Sequence, residues 1–133
     1  MISFLLTILL SQPASALVFE VIGDGGQVLL HSERDVALPT SVGQATVLIL
    51  DGAGAEYQGD ASGIASIAGL GSKLVVISDQ EFKAYGWCFS LNGAAPDVMP
   101  DQAPVLNQDA HIVWYYAFAR MKNGEWVSQC EVD

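Results

Sequence analysis

Basic side chains are scarce in this sequence, which has five Lys and Arg residues against fifteen Asp and Glu residues and a formal net charge of -10. All of these charges lie after residue 16. Nucleic acids and anionic membranes bind proteins through basic faces, because Lys and Arg release the counterions of phosphate groups. The sequence therefore predicts neither of them as a partner. It favours a cationic or neutral partner, although solubility alone is a sufficient reason for an acidic surface.

Cysteine and histidine are also scarce, with two of each. Neither cysteine belongs to a CxxC pair, and His31 and His111 lie far from both cysteines in sequence, so the spacing argues against a redox or metal site. His111 has no Ser or Cys nucleophile beside it in sequence. We therefore predict no catalytic residue, no metal ligand and no cofactor, and we do not expect the chain to be an enzyme.

Residues 1–16 contain an apolar run that is too short to span a bilayer as a stable helix. Pro13 follows the run, and the small residues Ala14 and Ala16 complete the pattern of a cleavable secretory signal. We therefore predict a signal peptide over residues 1–16 and a single domain over residues 17–133. The protein would be secreted or periplasmic, without stable membrane insertion after cleavage. The alternative is an uncleaved anchor, because the apolar run is not preceded by Lys or Arg.

The two cysteines lie after the signal and would mature in an oxidising compartment, where an even number of cysteines normally forms bridges. The sequence thus predicts a disulfide between Cys88 and Cys130. It would close a loop of about forty residues and contribute roughly 3 to 4 kcal/mol by restricting the unfolded chain. It would also tie the C-terminal end of the chain to the strand that contains Trp87.

Strand signals dominate the chain, because Val, Ile, Leu and aromatic residues occur in short runs bounded by Gly, Asp, Asn and Pro. The first two runs are predicted to form a hairpin around the glycine-rich turn at residues 23–26, and the last two around Asn123 and Gly124. The predicted strands lie at residues 17–22, 27–32, 73–78, 85–91, 111–120 and 125–130.

Residues 40–50 are open to two interpretations. A helix capped by Thr40 or Ser41 fits the start of the segment, whereas the Thr-Val-Leu-Ile-Leu run at its end favours a strand by composition. Residues 51–62 lack an apolar period and predict a loop, and residues 63–70 form a short apolar piece.

Residues 94–107 separate the two aromatic strands. The segment holds three prolines, at Pro96, Pro100 and Pro104. They exclude a helix there and predict an extended excursion over the surface. Asp97, Asp101 and Asp109 could offer oxygens to calcium, but their spacing matches no known calcium loop, so we interpret them as solvated loop acids.

Two segments carry bulky aromatic residues at alternate positions. Residues 86–93 have the sequence GWCFSLNG and end in the Asn-Gly pair that is typical of hairpin turns, and the second segment contains Ile112, Trp114 and Tyr116. Together they resemble the C-terminal domain shared by transcobalamin and intrinsic factor and its bacterial relatives. The similarity covers most of the predicted domain and is most specific from the first aromatic segment to the second. The family has Gly-Asp before its last strand, where this chain has Asp109 and Ala110.

The resemblance implies a β-grasp, ubiquitin-like fold: an α+β, β-rich domain whose mixed sheet is crossed by one helix. The helix would lie near residues 42–50, so the resemblance favours the helical interpretation of that segment. In the vitamin carriers this domain covers one face of cobalamin and works with a separate helical domain. A cobalamin-like ligand is therefore an expectation from the resemblance, although one such domain alone would bury only one side of the ligand.

The alternating aromatic residues have a structural and a functional interpretation. If the two strands are neighbours, residues such as Trp87 and Trp114 meet across the sheet and pack as core against the helix. In the functional interpretation, an aromatic rim stacks on a flat ligand or a sugar. The candidate ligand-binding residues are Trp87, Phe89, Asn92, Trp114, Tyr115, Tyr116 and Trp126.

These observations predict a non-enzymatic binding module for a small molecule or a protein partner, acting through the aromatic rim and the proline-rich excursion. The alternative is a structural domain that docks proteins by adding a strand at an exposed sheet edge. The first interpretation requires a concave apolar pocket near Trp87 and Trp126, and the second requires an unpaired edge strand.

Overall fold

The computed structural model describes residues 16–133. The predicted signal peptide, apart from Ala16, therefore lies outside the described residues. Within the described part, ten strands and one α-helix follow one another in the order β1 (Leu17–Ile22), β2 (Val28–Arg34), β3 (Thr40–Ser41), α1 (Val42–Gly52), β4 (Tyr57–Asp60), β5 (Gly63–Ile67), β6 (Lys73–Ser78), β7 (Glu81–Leu91), β8 (Pro104–Val105), β9 (His111–Lys122) and β10 (Glu125–Glu131).

The main sheet is mixed and is built around β9. Its strand order is β2-β1-β9-β7-β6, and β10 also pairs with β9. On one side of β9, β1 runs parallel to its first half and β10 runs antiparallel to its second half, while β7 pairs along its other side. A mixed sheet with one helix among residues 16–133 confirms the predicted α+β, β-rich class. The β-grasp assignment stays a prediction.

The strands predicted at residues 17–22 and 73–78 have the same bounds in the structure, as β1 and β6. The glycine-rich turn after β1 contains a 3-10 turn at Asp24–Gly26. Gly25 and Gly26 have φ angles of 72° and 79°, in the left-handed region that favours glycine. The turn therefore returns the chain into β2 and presents the side chain of Asp24 at one end of the sheet.

Both Asn-Gly pairs form turns in which the asparagine and the glycine have positive φ. The second pair joins β9 to β10 as predicted. The first pair does not join two long neighbouring strands, because after Asn92 and Gly93 the chain makes only an isolated bridge from Leu91 to Ala94. The antiparallel partner of β7 is β9, which the chain reaches after the proline-rich excursion.

The segment at residues 40–50 contains the start of helix α1, although its composition favours a strand. Ser41 is the N-cap, and its Oγ accepts a hydrogen bond of 3.1 Å from the backbone N of Gln44. The helix buries Val42, Ala45 and Ile49, which recur at helical spacing on one face. The cap and the buried face outweigh the strand preference of the β-branched residues.

The core lies between α1 and one face of the main sheet. Trp114, on the central strand, is 2% exposed, and its Nε1 donates a hydrogen bond of 2.8 Å to Oγ1 of Thr46 on the helix. The hydroxyl of Thr46 in turn donates to the carbonyl O of Val42 at 2.6 Å. These hydrogen bonds satisfy the buried indole N–H of Trp114 and the buried hydroxyl of Thr46. The sheet and the helix are therefore joined by polar as well as apolar contacts.

Residues 51–62 were predicted to form a loop, and that prediction is wrong at residues 51–52, which end helix α1, and at residues 57–60. Tyr57–Asp60 form β4, which pairs with β5 as a hairpin lying beside the helix. A Cβ atom at Gly43 of the helix would overlap the carbonyl oxygen of Ala61 at the tip of that hairpin. Glycine at this position therefore permits the close approach of hairpin and helix.

The proline-rich excursion contains no α-helix, as predicted, but it does not lie wholly on the surface. It forms a 3-10 turn at Pro100–Gln102, and β8 then pairs with β3. Ala103 and Val105 are each 1% exposed, and the carbonyl of Ala103 accepts a hydrogen bond of 2.9 Å from the backbone N of Val42. The excursion thus closes the core over the N-terminal end of the helix.

The predicted cysteine pair is confirmed. The sulfurs of Cys88 and Cys130 lie 2.12 Å apart and the two Cα atoms 5.9 Å apart, at disulfide distance. The bridge joins β7 to β10, which lie on opposite sides of β9 in the sheet. Among residues 16–133, no helix has the length and apolar character that a membrane crossing requires.

Candidate functional site

The sheet brings several of the predicted aromatic residues together as core. Trp87 pairs with Tyr116 and Phe89 with Trp114 across β7 and β9, with ring centroids 5.4 Å and 5.3 Å apart. Trp114 is almost fully buried and already bonded to the helix, so its indole ring serves the core. Trp87, Phe89, Trp114 and Tyr116 therefore pack against one another as the structural interpretation expects.

The polar groups of Trp87 and Asn92 form hydrogen bonds within the protein. Nε1 of Trp87 donates a hydrogen bond of 2.7 Å to the carbonyl O of Leu70. Asn92 is bonded twice to His111: its Oδ1 accepts from the backbone N, and its own backbone N donates to the backbone O, each at 2.8 Å. These contacts fix the loop before β6 and the turn after β7. They leave the polar groups concerned engaged within the protein.

Trp126 lies away from the other candidates. It is 50% exposed and contacts Phe82 edge to face, with centroids 5.9 Å apart. Side chains alternate along a strand, so Phe82 and Trp87 of β7 point to opposite faces of the sheet. A single concave pocket lined by both Trp87 and Trp126 is therefore not the arrangement that the structure has. We refer to the face away from the helix, which carries Phe82 and Trp126, as the open face.

Tyr116 and Tyr115, in contrast, help to line a cleft of about 240 Å³ at the end of the sheet. The cleft lies between the turn that follows β1 and the last two residues of the chain, Val132 and Asp133. On this side of β9, pairing with β1 ends at Tyr115 and pairing with β10 begins at Phe118. The cleft lies at the gap between the two. We call it the tyrosine cleft, and its side chains with aromatic or ionisable groups are Asp24, Tyr85, Tyr115, Tyr116, Phe118 and Asp133.

Three aromatic rings of the tyrosine cleft form one group. The ring of Tyr85 is stacked on that of Tyr116, with centroids 5.5 Å apart and planes at 23°, and it lies 5.3 Å from that of Phe118. The register causes this, because Tyr85 is opposite Phe118 and Tyr116 lies two residues before Phe118 on the same face of β9. The sheet therefore supplies a rigid aromatic wall for the cleft.

Two carboxylates, those of Asp24 and Asp133, line the cleft together with this wall. The hydroxyl of Tyr85 donates to Oδ2 of Asp133 at 3.1 Å. Burial, the hydrogen bond to Asp133 and the charges of Asp133 and Asp24 raise the pKa of Tyr85. Burial and the charge of Asp24 likewise raise the pKa of Tyr116, whose hydroxyl donates to the carbonyl O of Gly71 at 2.7 Å. The tyrosines are therefore neutral at physiological pH.

The two acids of the cleft differ in their partners. Asp133 forms an ion pair with Lys83, whose Nζ lies 3.4 Å from Oδ1. Asp24 takes part in none of the ion pairs found among residues 16–133. Aromatic faces in this region already attract ammonium groups, since Nζ of Lys73 lies 4.8 Å from the ring centroid of Tyr85 and Nζ of Lys83 lies 4.4 Å from that of Phe118. The cleft thus combines a carboxylate that forms no ion pair within residues 16–133 with aromatic rings that attract cations.

The sequence prediction included Tyr115 and Tyr116 but missed Asp24, Tyr85, Phe118 and Asp133. Tyr85 and Phe118 continue the two alternating aromatic patterns by one position each, which is the signal that could have found them. Asp24 gives no such signal. It appears in sequence only as a residue of a glycine-rich turn, and its proximity to Tyr85 depends on the tertiary fold.

The strand order ends at β2 and β6, and β10 also has one unpaired edge, because within the described residues it pairs with β9 alone. Edge strand β6 is apolar and largely exposed, with Leu74 63%, Val76 71% and Ile77 52% exposed. A bulge interrupts its pairing with β7 between Val76 and Ser78. The structure therefore has the unpaired edge strand that the docking interpretation requires.

No family model and no curated protein matches the chain. A solved structure from Ruminococcus gnavus ATCC 29149, described as a "putative metal binding protein", aligns with a TM-score of 0.50 and 16% sequence identity. The alignment covers 77% of this chain and 95% of that chain. At this identity the likeness shows a shared fold alone.

Proposed function

We propose that this protein is a non-enzymatic binding module that holds a small organic cation, such as an ammonium group, in the tyrosine cleft. The observation that carries the proposal is the carboxylate of Asp24, which lines the same cleft as the rings of Tyr85 and Tyr116 and takes part in none of the ion pairs found among the described residues. A bound ammonium group would neutralise that carboxylate and lie against the neighbouring rings. Each ring contact of this kind is worth about 0.5 to 2 kcal/mol.

Charge and size support this ligand class. The formal net charge of -10 attracts cations to the whole molecule, and a cleft that opens between carboxylates focuses that attraction. The cleft volume of about 240 Å³ lies below the range of about 300 to 1,000 Å³ usual for drug-sized ligands. The ligand would therefore be small, and one carboxylate with a few ring contacts would give a Kd of about 0.1 to 1 mM.

Choline and its neutral isostere 3,3-dimethyl-1-butanol test this proposal directly, because they share shape and differ in charge. We expect choline to perturb amide NMR signals of the Asp24 turn and of β9 in a saturable way, and the isostere to do so at least about tenfold more weakly. The variant Asp24→Asn should weaken choline binding by about tenfold, whereas Asp97→Asn, on the exposed proline-rich excursion, should leave it unchanged. Equal binding of choline and the isostere, or equal effects of the two variants, would contradict the proposal.

Membership of the transcobalamin and intrinsic factor C-terminal-domain family, with its β-grasp fold, is a further proposal. The mixed sheet and the single α-helix among the described residues are compatible with it. The likeness to a structure described as that of a metal-binding protein is compatible with a binding role. A corrinoid is much larger than the tyrosine cleft, so a cobalamin-like ligand would have to lie on the surface of the domain. The geometry therefore favours the small cation over the corrinoid.

We also propose that the protein is exported to the periplasm or the cell exterior, and the disulfide supports this. Bridges such as Cys88–Cys130 persist in oxidising compartments and are rare in the cytosol. The predicted signal over residues 1–16 supplies the route. Its cleavage would leave the described domain intact, because β1 begins at Leu17.

A second candidate function is docking through β6, and the exposed apolar side chains of this edge strand favour it. We propose a second copy of the chain as the partner. Lys73 begins the strand and Asp79 follows its end, so antiparallel pairing of two β6 strands would bring opposite charges together. The bulge between Val76 and Ser78 lies within this register and interrupts the regular pairing, which predicts a weak dimer.

Sedimentation equilibrium tests the dimer. We expect reversible dimerisation at about 0.1 to 1 mM protein, strengthened by salt, because screening reduces the repulsion between two chains of charge -10. Val76→Lys should abolish it by placing a charge in the paired edge. Val28→Lys is the matched control, since Val28 is 56% exposed on the opposite edge strand. A monomer at all concentrations, or equal loss of dimer in both variants, would exclude docking of two chains through β6.

A further inference from the structure

Both histidines of the chain approach the same carboxylate, although they are far apart in sequence. Nε2 of His111 lies 2.7 Å from Oε1 of Glu20, and Nδ1 of His31 lies 3.8 Å from Oε2 of the same residue. The other ring nitrogen of His31, Nε2, lies 3.6 Å from Oε1 of Glu33. Two imidazoles and two carboxylates therefore form one cluster, which we call the histidine cluster.

The sheet topology produces this convergence. In the strand order β2-β1-β9, His31 is directly opposite Glu20, and His111 is opposite Val18, which shares a face with Glu20. The three side chains thus project from neighbouring strands to one face of the sheet. The turn after β7 fixes the backbone of His111, because its N donates to Oδ1 of Asn92 at 2.8 Å.

We propose that Glu20, His31 and His111 bind one divalent transition-metal ion of the Zn²⁺ or Cu²⁺ type. Imidazole nitrogens and a carboxylate oxygen are the donor set that these ions accept, and a three-residue set leaves positions for water or an external ligand. Glu33 would act on the second ring nitrogen of His31 and orient that imidazole, as carboxylates do around metal-bound histidines. The ion would replace the direct contacts between imidazoles and carboxylate, and any proton on a ligating nitrogen would pass to solvent.

The side chains must rearrange to form this site. As they lie, no group of three or more His, Cys, Asp or Glu among residues 16–133 is placed to hold a metal ion. The side chains of His31 and His111 are 52% and 45% exposed, so both rings are free to turn towards solvent. Their strands are separated only by β1, and the two residues are offset by two positions along it, which puts their Cα atoms about 12 Å apart, within the combined reach of two imidazoles and a metal ion between them.

The composition of the cluster suits a cation. It contains two carboxylates, and its ion pairs among residues 16–133 involve no Lys or Arg. The cluster also differs in location from the tyrosine cleft, whose lining residues include none of its members. The two sites can therefore be tested independently on the same protein.

Titration calorimetry of the oxidised, tag-free chain with Zn²⁺ tests the proposal. We expect one ion per chain, with affinity reduced at least about tenfold in each of His31→Ala and His111→Ala and lost in the double variant. Glu33→Gln should have a smaller effect, and Glu125→Gln, at an exposed position of β10, should have none. Because both imidazoles are half exposed, the variants are expected to fold, and far-UV circular dichroism checks this.

Electron paramagnetic resonance with Cu²⁺ identifies the ligands without relying on affinity. The unaltered protein should show coupling to two imidazole nitrogens, and each single histidine variant should show coupling to one. Binding that survives in the double variant, dependence on only one histidine, or the absence of one-to-one binding below about 1 mM would overturn the three-ligand site.

Discussion

Replacing Trp114 by alanine is expected to destabilise the protein by about 3 to 5 kcal/mol, the usual cost of removing a large aromatic side chain from a core. Trp114 is 2% exposed, its ring lies 5.3 Å from that of Phe89, and its Nε1 is bonded to Thr46. The variant would lose the apolar contacts and the hydrogen bond together, and it would leave a cavity on the central strand. In a domain of this size the melting temperature should fall by roughly 10 to 20 °C.

Urea unfolding followed by far-UV circular dichroism measures this change without depending on tryptophan fluorescence. Trp126→Ala is the matched control: its ring is 50% exposed and contacts Phe82, so the expected change is about 0.5 to 1 kcal/mol. Thr46→Val separates the two contributions, because it keeps the packing volume and leaves Nε1 of Trp114 without its acceptor, at a cost of about 1 to 3 kcal/mol. Similar unfolding midpoints for the two tryptophan variants would show that the aromatic core is not organised as described.

Much of the strand arrangement could be predicted from the sequence. The segments that became β1 and β6 are short apolar runs bounded by Gly, Asp and Ser, and their composition and length allow little else. The Asn-Gly pair after β9 was equally informative, since both residues adopt the positive φ that this dipeptide favours. These signals are local in sequence, and the structure has the two strands and the turn that they predict.

Segments whose conformation depends on distant contacts were not predictable in this way. Helix α1 was ambiguous, because its β-branched residues favour a strand while its burial against the sheet favours a helix. Strand β4 was missed because Tyr57–Asp60 are mostly polar and acquire strand structure by pairing with β5. In both cases a tertiary contact decides the local structure.

The candidate sites depend even more on topology. Parallel pairing of β1 with β9 places Glu20 near His111, and strands so far apart in sequence give no local signal of their pairing. The same pairing brings the turn that carries Asp24 to the aromatic wall of Tyr85 and Tyr116. The sequence therefore indicated which residues are aromatic and which are charged, but the pairing of the first strand with a late one determines which of them meet.

Removing the disulfide should have an effect comparable to that of the Trp114 substitution. The bridge joins residues that are 42 positions apart, and closing a loop of that length restricts the unfolded chain by about 4 kcal/mol in the chain-entropy model. The double variant Cys88→Ala/Cys130→Ala removes the bridge and leaves no free thiol. We expect its urea midpoint to fall well below that of the oxidised parent, by a large part of the stability of about 5 to 15 kcal/mol typical of a natural domain.

The loss should be greatest in β10. This strand pairs only with β9, its pairing has two register irregularities, and Trp126 and Val127 are at least half exposed, so few apolar contacts hold it without the bridge. Amide hydrogen exchange should therefore accelerate most in Glu125–Glu131, while β1 and the first half of β9 keep their relative protection. The parent protein treated with a reductant should reproduce this pattern. If β10 stays as protected as β9 in both reduced and double-variant protein, sheet pairing alone holds the C-terminal strand, and the bridge acts only on the unfolded chain.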